Sequence, residues 1–281
     1  MTYSLLARGE DGAFGVVTAS RFLAVGATVP AVAAGVGALV TQAHTNPSYR
    51  EDGMALLAAG AGATEVVSRL VEADPGRRLR QLGVLDAQGT AAFWTGELVT
   101  EVAAERVGDG CLAVGNIMAG RDVLDAMLGT FQAATGPLSE RLLLALSAGE
   151  QAGGDRRGRQ SAALVVQRPG DPATLRSGDR VDLRVDDHPE PVEELRRLLE
   201  LHRLVMLGPR PQDAAALAGP VADEVELLLR AVGQVRGTLE ERLAVWAEQE
   251  NVEHRLLPGL IDLAVLDRLR VRAGVIRQSP G

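Results

Sequence analysis

The second residue of the chain, Thr2, has the clearest chemical potential of any residue in it. Methionine aminopeptidases remove Met1 when a small residue follows, and the chain would then begin at Thr2. Its free α-amine would have a pKa of roughly 7.7 to 8.0, which suits a general base. Such an amine can activate a threonine hydroxyl as a nucleophile. The alternative is an ordinary threonine at a strand start, and position alone does not decide between them.

Two polar segments follow predicted strands and carry groups that could stabilise a developing negative charge. The stretch TQAHTNPSY, residues 41–49, offers Gln42, His44 and Asn46, and Asn116 follows another short strand. A backbone N–H or an amide aimed at an oxyanion meets the electrostatic need of acyl transfer. The alternatives are a polar turn started by the Asn-Pro pair, a structural histidine, and an asparagine that caps the loop before the next helix.

Two charged loops are further candidates. The loop GGDRRGRQS, residues 153–161, carries Arg156, Arg157 and Arg159, which could bind a substrate carboxylate, or it is simply a solvated loop. The segment RVDDHPEP, residues 184–191, holds two aspartates and a histidine that could ligate a metal. We prefer a helix cap with proline at the first helical position. We therefore predict no metal site and no cofactor.

The elements that must position these segments alternate between hairpins and helices. We predict strands at 2–7, 14–20, 29–41, 80–86, 90–96, 111–115, 161–167 and 180–185, and helices at 53–73, 121–134, 137–152 and from 189 onward. Because strict alternation of strand and helix is absent, this order predicts antiparallel sheets. It fits an α+β fold, a four-layer αββα sandwich with helices on the outer faces of two sheets.

The sequence after residue 207 changes character, with three prolines and then helical spacing at 221–232, 239–250 and 260–271. We predict two domains, at 1–206 and 210–275. The second is expected to be a small all-helical module.

Composition narrows the functional classes. The 281 residues carry a net charge of −8 and only 3% aromatics, so we predict neither a nucleic-acid surface nor an anionic-membrane surface. All 29 basic residues are arginines, so no lysine can act as a base. No leader or transmembrane stretch is evident, and Cys111 is the single cysteine. We expect a buried, inert thiol and a cytoplasmic protein.

The opening segment TYSLLARGEDGAFGVVTASRFLAVGA resembles the start of N-terminal-nucleophile (Ntn) hydrolases, in particular the first hairpin of proteasome β-type subunits. Over residues 1–205 the chain more closely resembles a bacterial family that is known only as a domain of unknown function and is assigned to the Ntn superfamily. The motifs that carry this resemblance are MTYSLLAR, ASRFLAVGA, TQAHTNPSY, ADPGRRLRQLGVLDAQG, VGNIMAG, GGDRRGRQSAALVV and LRVDDHPEPVEELRRLLELH. The resemblance implies the αββα fold and amide-bond hydrolysis.

The resemblance also implies roles for individual residues. Ser20 and Arg21 match the Ser-Arg pair that follows the second strand of the proteasome hairpin. Asp155 and Ser161 loosely match an Asp and a Ser that hold the N-terminus in the proteasome, although their spacing differs.

Two departures limit the analogy. Ala19 stands where the proteasome pattern has an acid, and the proteasome's lysine has no counterpart. The amine of Thr2 must therefore act as the base without help from an acid or a lysine, or Arg21 must supply the positive charge that lowers the pKa of that amine.

A second resemblance covers residues 239–270, LEERLAVWAEQENVEHRLLPGLIDLAVLDRLR. This segment resembles a domain labelled peptidoglycan-binding that often follows the family above. The residues that carry it are Trp246, Asn251, Glu253, Arg255, Ile261, Asp262, Val265 and Leu266. From the residues themselves, Trp246 and Leu266 are better explained as core of a helical unit than as a sugar platform.

Two functions remain open from the sequence. The first is an Ntn-type hydrolase that cleaves an amide bond in a small or peptide-like substrate through Thr2. The second is a non-catalytic protein with an idle Ntn fold that binds a partner or a peptidoglycan fragment through its C-terminal module. We expect a homo-oligomer in either case.

Overall fold

The computed structural model describes residues 2–99, 102–170 and 180–275. These residues divide into two compact units, one containing the described residues up to 199 and the other containing 200–275. The division falls inside a helix. The domain boundary predicted at 206–210 lies beyond that point and stays a prediction.

Ten strands of the first unit form two antiparallel sheets. The strands are β1 (Thr2–Arg8), β2 (Phe14–Ser20), β3 (Pro30–Ala33), β4 (Gly37–Ala43), β5 (Arg80–Asp86), β6 (Ala91–Thr95), β7 (Ala104–Gly108), β8 (Cys111–Asn116), β9 (Ser161–Gln167) and β10 (Arg180–Val185). The larger sheet has the order β10-β9-β2-β1-β8-β7, and the smaller has the order β3-β4-β5-β6. Thr2 therefore starts a central strand, whose neighbours are β2 and β8.

The helices occur in blocks between the strands. They are α1 (Val25–Thr28), α2 (Ser48–Ala58), α3 (Ala63–Ala73), α4 (Asp122–Ala133), α5 (Leu138–Gln151) and α6 (Pro191–Met206). One apolar cluster joins the larger sheet to α4, α5 and α6, and another joins the smaller sheet to α2 and α3. A third cluster draws residues from both sheets, including Leu6, Leu112 and Val40. The chain is thus a mixed α+β protein with antiparallel sheets.

Alternation along the strands places the polar residues of interest beside this third cluster. Successive side chains of a strand point to opposite faces. Tyr3 and Leu5 join the cluster that contains α4 and α5, whereas Leu6 joins the cluster shared by the sheets. Thr2 and Ser4 have the parity of Leu6, so they belong to the face shared by the sheets.

The hairpins predicted at 2–20, 80–96 and 161–185 are present, with the pairs β1–β2, β5–β6 and β9–β10 in antiparallel register. The connection between β9 and β10 includes residues 171–179, which lie outside the described residues. The single strand predicted at 29–41 is instead a hairpin of β3 and β4. The reason is the turn between them, where Gly35 has a φ of 68°.

The single helix predicted at 53–73 is also wrong, because α2 and α3 are separate helices. Gly60 breaks the helical path with a φ of 89°. The second helix starts where the Ala63 N–H donates to Asp86 Oδ2 at 3.0 Å.

The second unit contains α7 (Pro220–Ala231), α8 (Leu239–Gln249) and α9 (Leu263–Arg272), packed around their own apolar cluster. It is not all-helical, because β11 (Ala214–Ala216) pairs with β12 (Leu260–Asp262). The residues predicted as one helix from 260 begin instead as this strand, and Asp262 then caps α9 by accepting from Ala264 N–H at 2.8 Å. Trp246 is 3% exposed and belongs to the cluster.

Candidate active site

A buried polar network lies at the start of β1. Its side chains come from β1, β4 and β5 and from the last residues of β2 and β8. The Thr2 hydroxyl donates to Ser20 Oγ at 3.3 Å, and the Ser4 hydroxyl lies 2.9 Å from Gln42 Oε1. Gln42 Nε2 donates to the carbonyl of Thr2 at 3.2 Å and to Gln81 Oε1 at 2.7 Å. Each of these side chains belongs to a buried residue, so the network links the two sheets away from solvent.

The backbone carbonyls of Thr2 and Gly115 fix the orientation of the amide side chains in this network, because each carbonyl can only accept. Gln81 Nε2 donates to the carbonyl of Gly115 at 2.9 Å, so Gln81 Oε1 must be an acceptor. It accepts from Asn116 Nδ2 at 2.9 Å as well as from Gln42. Gln42 Nε2 donates both of its N–H groups inside the protein, and Asn116 Nδ2 donates one to Gln81. Gln42 and Asn116 therefore hold the strand ends together.

Asn116 Oδ1 is buried and has no hydrogen-bond partner among the described residues. Asn116 is 1% exposed, and it stands opposite Thr2 in the register of β1 and β8. A buried acceptor without a donor is costly, and such a group calls for an explanation in a native protein. The arrangement therefore leaves one acceptor open beside the start of β1.

Strained backbone follows three of the segments that build the network. Ala43 has a φ of 67°, and Ile117 has a φ of 52°, directly after Gln42 and Asn116. Ala24, with a φ of 54°, lies just past Ser20. Left-handed conformations are unfavourable for residues with a Cβ and most unusual for a β-branched side chain, and they concentrate at functional sites.

The segment after Ser20 is fixed by the two residues predicted to hold the N-terminus. Asp155 accepts from Arg21 N–H at 2.6 Å. The Ser161 hydroxyl donates to the carbonyl of Phe22 at 2.5 Å and accepts from Val25 N–H at 3.2 Å. Asp155 and Ser161 thus hold residues 21–25, and through them the loop that carries Ser20.

The predicted arginines have different surroundings. Arg157 pairs with Asp155 at 3.2 Å, and Arg159 pairs with Glu150 at 3.5 Å and with Glu190. Arg21 is exposed, and its guanidinium donates to the carbonyl of Arg159 at 2.6 Å. Arg156 is exposed and has no carboxylate partner among the residues that the structure describes. Of the four arginines, its guanidinium is therefore the most available to a substrate carboxylate.

His44 and Asn46 lie in the loop that leads into α2, outside the buried network. His44 is exposed, and its carbonyl accepts from Arg80 Nη1 at 2.6 Å. Asn46 Nδ2 donates to Asp74 at 3.2 Å, and its Oδ1 accepts from the Ser48 N–H at 3.2 Å. In this structure Asn46 shapes the turn before the helix, and no described bond joins either residue to Thr2.

Asp74 holds this loop in place. Burial alone would raise the pKa of Asp74, but hydrogen bonds from Arg80, Gly76, Tyr49 and Asn46 outweigh it and lower the pKa to about 2. The loop beside the network is therefore tied to a carboxylate that stays ionised at neutral pH.

Cys111 has no role in the site. Its thiol is fully buried, and burial raises its pKa to about 11. A thiol with that pKa is a poor nucleophile at neutral pH.

Gln81 and Tyr3 are the residues that sequence reasoning missed. Gln81 is the acceptor shared by two amides, and Tyr3 lines a cavity next to Ser20. The available signal for Gln81 was a lone amide in an apolar strand, on the same face as Leu85. For Tyr3, whose side chain points to the opposite face of β1 from Thr2, the sequence offered no signal.

Comparisons with known proteins show the family of this chain. The model of a family of unknown function, DUF1028, matches residues 2–195. The chain belongs to the DUF1028 family. A crystal structure of a DUF1028 protein from Silicibacter pomeroyi is 31% identical with a TM-score of 0.66, covering 79% of this chain and 88% of that one. A search of curated proteins found no match.

A structure of Anbu (ancestral beta-subunit) from Yersinia bercovieri also matches. It is 12% identical with a TM-score of 0.35, covering 69% of this chain and 92% of that one. A likeness at that TM-score supports no inference about the function of this chain.

Proposed function

We propose that this DUF1028 protein is an Ntn-type hydrolase that cleaves an amide bond in a small or peptide-like substrate. Thr2 is the proposed nucleophile. The observation that carries the proposal is the position of the Thr2 hydroxyl, which starts a central strand and donates to Ser20 Oγ at 3.3 Å inside a polar network between the sheets. A threonine that merely started a strand would need neither this network nor the open acceptor of Asn116.

The proposed mechanism begins with loss of Met1, a residue outside the described part of the chain. The freed α-amine of Thr2 takes the proton of Oγ1, and Oγ1 attacks the substrate carbonyl carbon. The amine returns this proton to the leaving nitrogen, so that an ester on Thr2 and an amine product form. Water then attacks the ester with the amine as base, which releases the carboxylate and restores Thr2.

Positioning is the contribution of the surrounding residues. Gln42 fixes the carbonyl of Thr2, and Ser20 fixes its hydroxyl. Asn116 Oδ1 is the acceptor that we assign to the freed α-amine, because it is unpartnered among the described residues and stands opposite Thr2. Since the side-chain amides are engaged with one another, we propose that backbone N–H groups supply the oxyanion contacts.

The test starts with intact mass of the protein from its native host, where loss of the Met1 mass is expected. A panel of small amides, ureido acids and dipeptides is then assayed with the wild type, Thr2→Ala and Thr2→Ser. We expect Thr2→Ala to lose at least about 10³-fold in kcat and Thr2→Ser to retain measurable turnover. Full retention of Met1, or equal turnover by wild type and Thr2→Ala, would reject the nucleophile.

We also propose the finer fold that the family resemblance implies, a four-layer αββα sandwich. The three apolar clusters of the first unit support it, since each joins one pair of neighbouring layers. A crystal structure at atomic resolution would test the layering directly.

The alternative function, a binding protein that uses its C-terminal module, has less support. Trp246 is 3% exposed within the core of that unit, so it offers no stacking surface for a sugar. Binding of purified peptidoglycan fragments by a Thr2→Ala protein would revive this alternative.

Location and assembly remain proposals too. No helix in the described residues has the length and apolar character needed to cross a bilayer. We propose a cytoplasmic, self-associating protein, which fractionation of the native host and light scattering of the purified chain would test.

A further inference from the structure

A cavity of about 320 Å³ opens beside Ser20 on the side of β1 that faces α5. Its wall includes Tyr3, Glu150, Asp155 and Arg159. Ser20 is common to the cavity and to the hydrogen bond from Thr2, so the two lie next to each other. The volume is at the small end for ligand pockets, which start at roughly 300 Å³, and it suits an amino-acid-sized group.

The Tyr3 hydroxyl is an unused polar group in this cavity. Tyr3 is 2% exposed and lines the cavity, and none of the described hydrogen bonds involves its hydroxyl. A Cβ at Gly154 would lie 3.1 Å from this hydroxyl, and Gly154 has a φ of 49°. Glycine at this position therefore keeps the space in front of the phenol open.

Glu150 leaves the cavity with an unbalanced negative charge. Its side chain is 11% exposed, and its one described partner is Arg159 Nε at the long distance of 3.5 Å. Arg159 is also held by Glu190, while the charge of Asp155 is matched by Arg157. Burial raises the pKa of Glu150, and Glu190 and Glu193 add to that effect against the opposing charge of Arg159.

We propose that this cavity binds the ammonium group of the substrate, with Glu150 as the counter-charge and the Tyr3 hydroxyl as a hydrogen-bond acceptor. The inference rests on the proposed function and gives it a substrate class, namely amides that carry a free amino group near the scissile carbonyl. A buried carboxylate that has lost its hydration and has no close counter-ion is stabilised when a cation binds beside it. Thr2 points to the other face of β1, and Ser20 borders both the cavity and the Thr2 hydroxyl. The amide carbonyl would therefore reach Thr2 past Ser20, around the start of β1.

The inference is tested by binding rather than turnover, with the full chain and two matched probes. L-alaninamide carries the amino group, and propionamide is the same molecule without it. Titration calorimetry should show L-alaninamide binding at least about tenfold more tightly than propionamide. Equal affinity of the two probes, or no binding of L-alaninamide at its highest soluble concentration, overturns the proposal.

Variants then locate the binding. Glu150→Gln should weaken L-alaninamide at least about tenfold, and Tyr3→Phe should weaken it several-fold, because each removes one polar contact. Glu51→Gln, an exposed control on α2, should leave the affinity unchanged. Unchanged affinity in both Glu150→Gln and Tyr3→Phe overturns the assignment, and the probe comparison on the wild type still decides if a variant fails to fold.

Failure of this inference is distinguishable from failure of the proposed function. L-alaninamide binding is measured in Thr2→Ala as well as in the wild type, and it should be the same in both. If Thr2→Ala still hydrolyses amides, the nucleophile is rejected while the binding result stands. If Thr2 is essential but the amino group gives no gain in affinity, the ligand class alone is rejected.

Discussion

Gln81 shows how much of the candidate site depends on a single side chain. It accepts from Gln42 and Asn116 and donates to Thr95 and to the carbonyl of Gly115. The sequence could indicate Thr2, Gln42 and Asn116 because each lies at the end of a strand. It could not indicate Gln81 as the shared acceptor, because that role depends on two sheets facing each other.

Replacement of Gln81 should be costly. Gln81→Ala removes the acceptor of one N–H of Gln42 and one N–H of Asn116, and a buried donor left unpaired costs about 1–3 kcal/mol. We expect the free energy of unfolding to fall by about 2–4 kcal/mol in urea titrations. Gln88→Ala, at an exposed turn position, is the control and should change it by less than about 0.5 kcal/mol. Equal effects of the two substitutions would contradict the network.

Glu150 should be a source of instability in the unliganded protein. Its pKa is raised in the folded state, chiefly by burial, so its ionised form is disfavoured there. Stability from this group should therefore fall as pH rises above the ordinary glutamate value of 4.5. Glu150→Gln should unfold at a higher temperature than wild type at neutral pH, and the gap should shrink on acidification. A gap that is absent or grows at lower pH would show that the carboxylate is not desolvated.

At the scale of elements, Asp74 connects a strand of the smaller sheet, the helix α2 and the loop between β4 and α2. It accepts from Arg80 of β5 at 2.9 Å, from Tyr49 of α2 at 3.0 Å, and from Asn46 in the loop between β4 and α2. One carboxylate therefore sets the path of the chain just after Gln42.

Asp74→Asn should weaken this junction. Loss of charge-assisted bonds predicts a drop of about 1–3 kcal/mol in unfolding free energy at neutral pH. Because the pKa of Asp74 is lowered to about 2, its stabilisation is present above the unfolded value of 3.8 and is lost as pH falls through the folded value. Urea titrations across that window should show this loss in the wild type and less of it in the variant. Asp52→Asn, exposed on α2, should behave as wild type.

The strands and helices that were predicted correctly are those set by residues close together in the sequence. Hairpins with a short turn and amphipathic helices such as α4 and α5 follow from turn residues and periodicity. The break between α2 and α3 was missed although Gly60 and Gly62 are local stop signals. The sequence could not show that Asp86, distant along the chain, accepts from the Ala63 N–H where α3 starts. The strand β7 was missed although Asp109-Gly110 is a turn signal, since its residues alternate weakly.

At the scale of the whole molecule, each of the two units has its own apolar core and its own tryptophan. Trp94 packs against the cluster of α2 and α3, and Trp246 lies in the cluster of α7, α8 and α9. Variants that retain a single tryptophan can therefore report on each unit separately.

Damage to the second core should stay in the second unit. Leu229→Ala, at a fully buried position, should cost about 2–5 kcal/mol, whereas Leu227→Ala, at a position that is 69% exposed on the same helix, should cost little. The denaturant midpoint from Trp246 should fall with Leu229→Ala while the midpoint from Trp94 does not move. Parallel movement of both midpoints would show that the units unfold together.

The buried start of β1 has a practical consequence for labelling. Because all 29 basic residues are arginines, the chain offers acylating reagents one primary amine, at its own N-terminus. After loss of Met1 that amine would belong to Thr2, a residue that is 6% exposed. A succinimidyl ester should therefore add at most a single mass tag per chain, slowly in the native fold and quickly in denaturant. Unfolding kinetics could then be followed by counting one chemical tag, with no engineered handle.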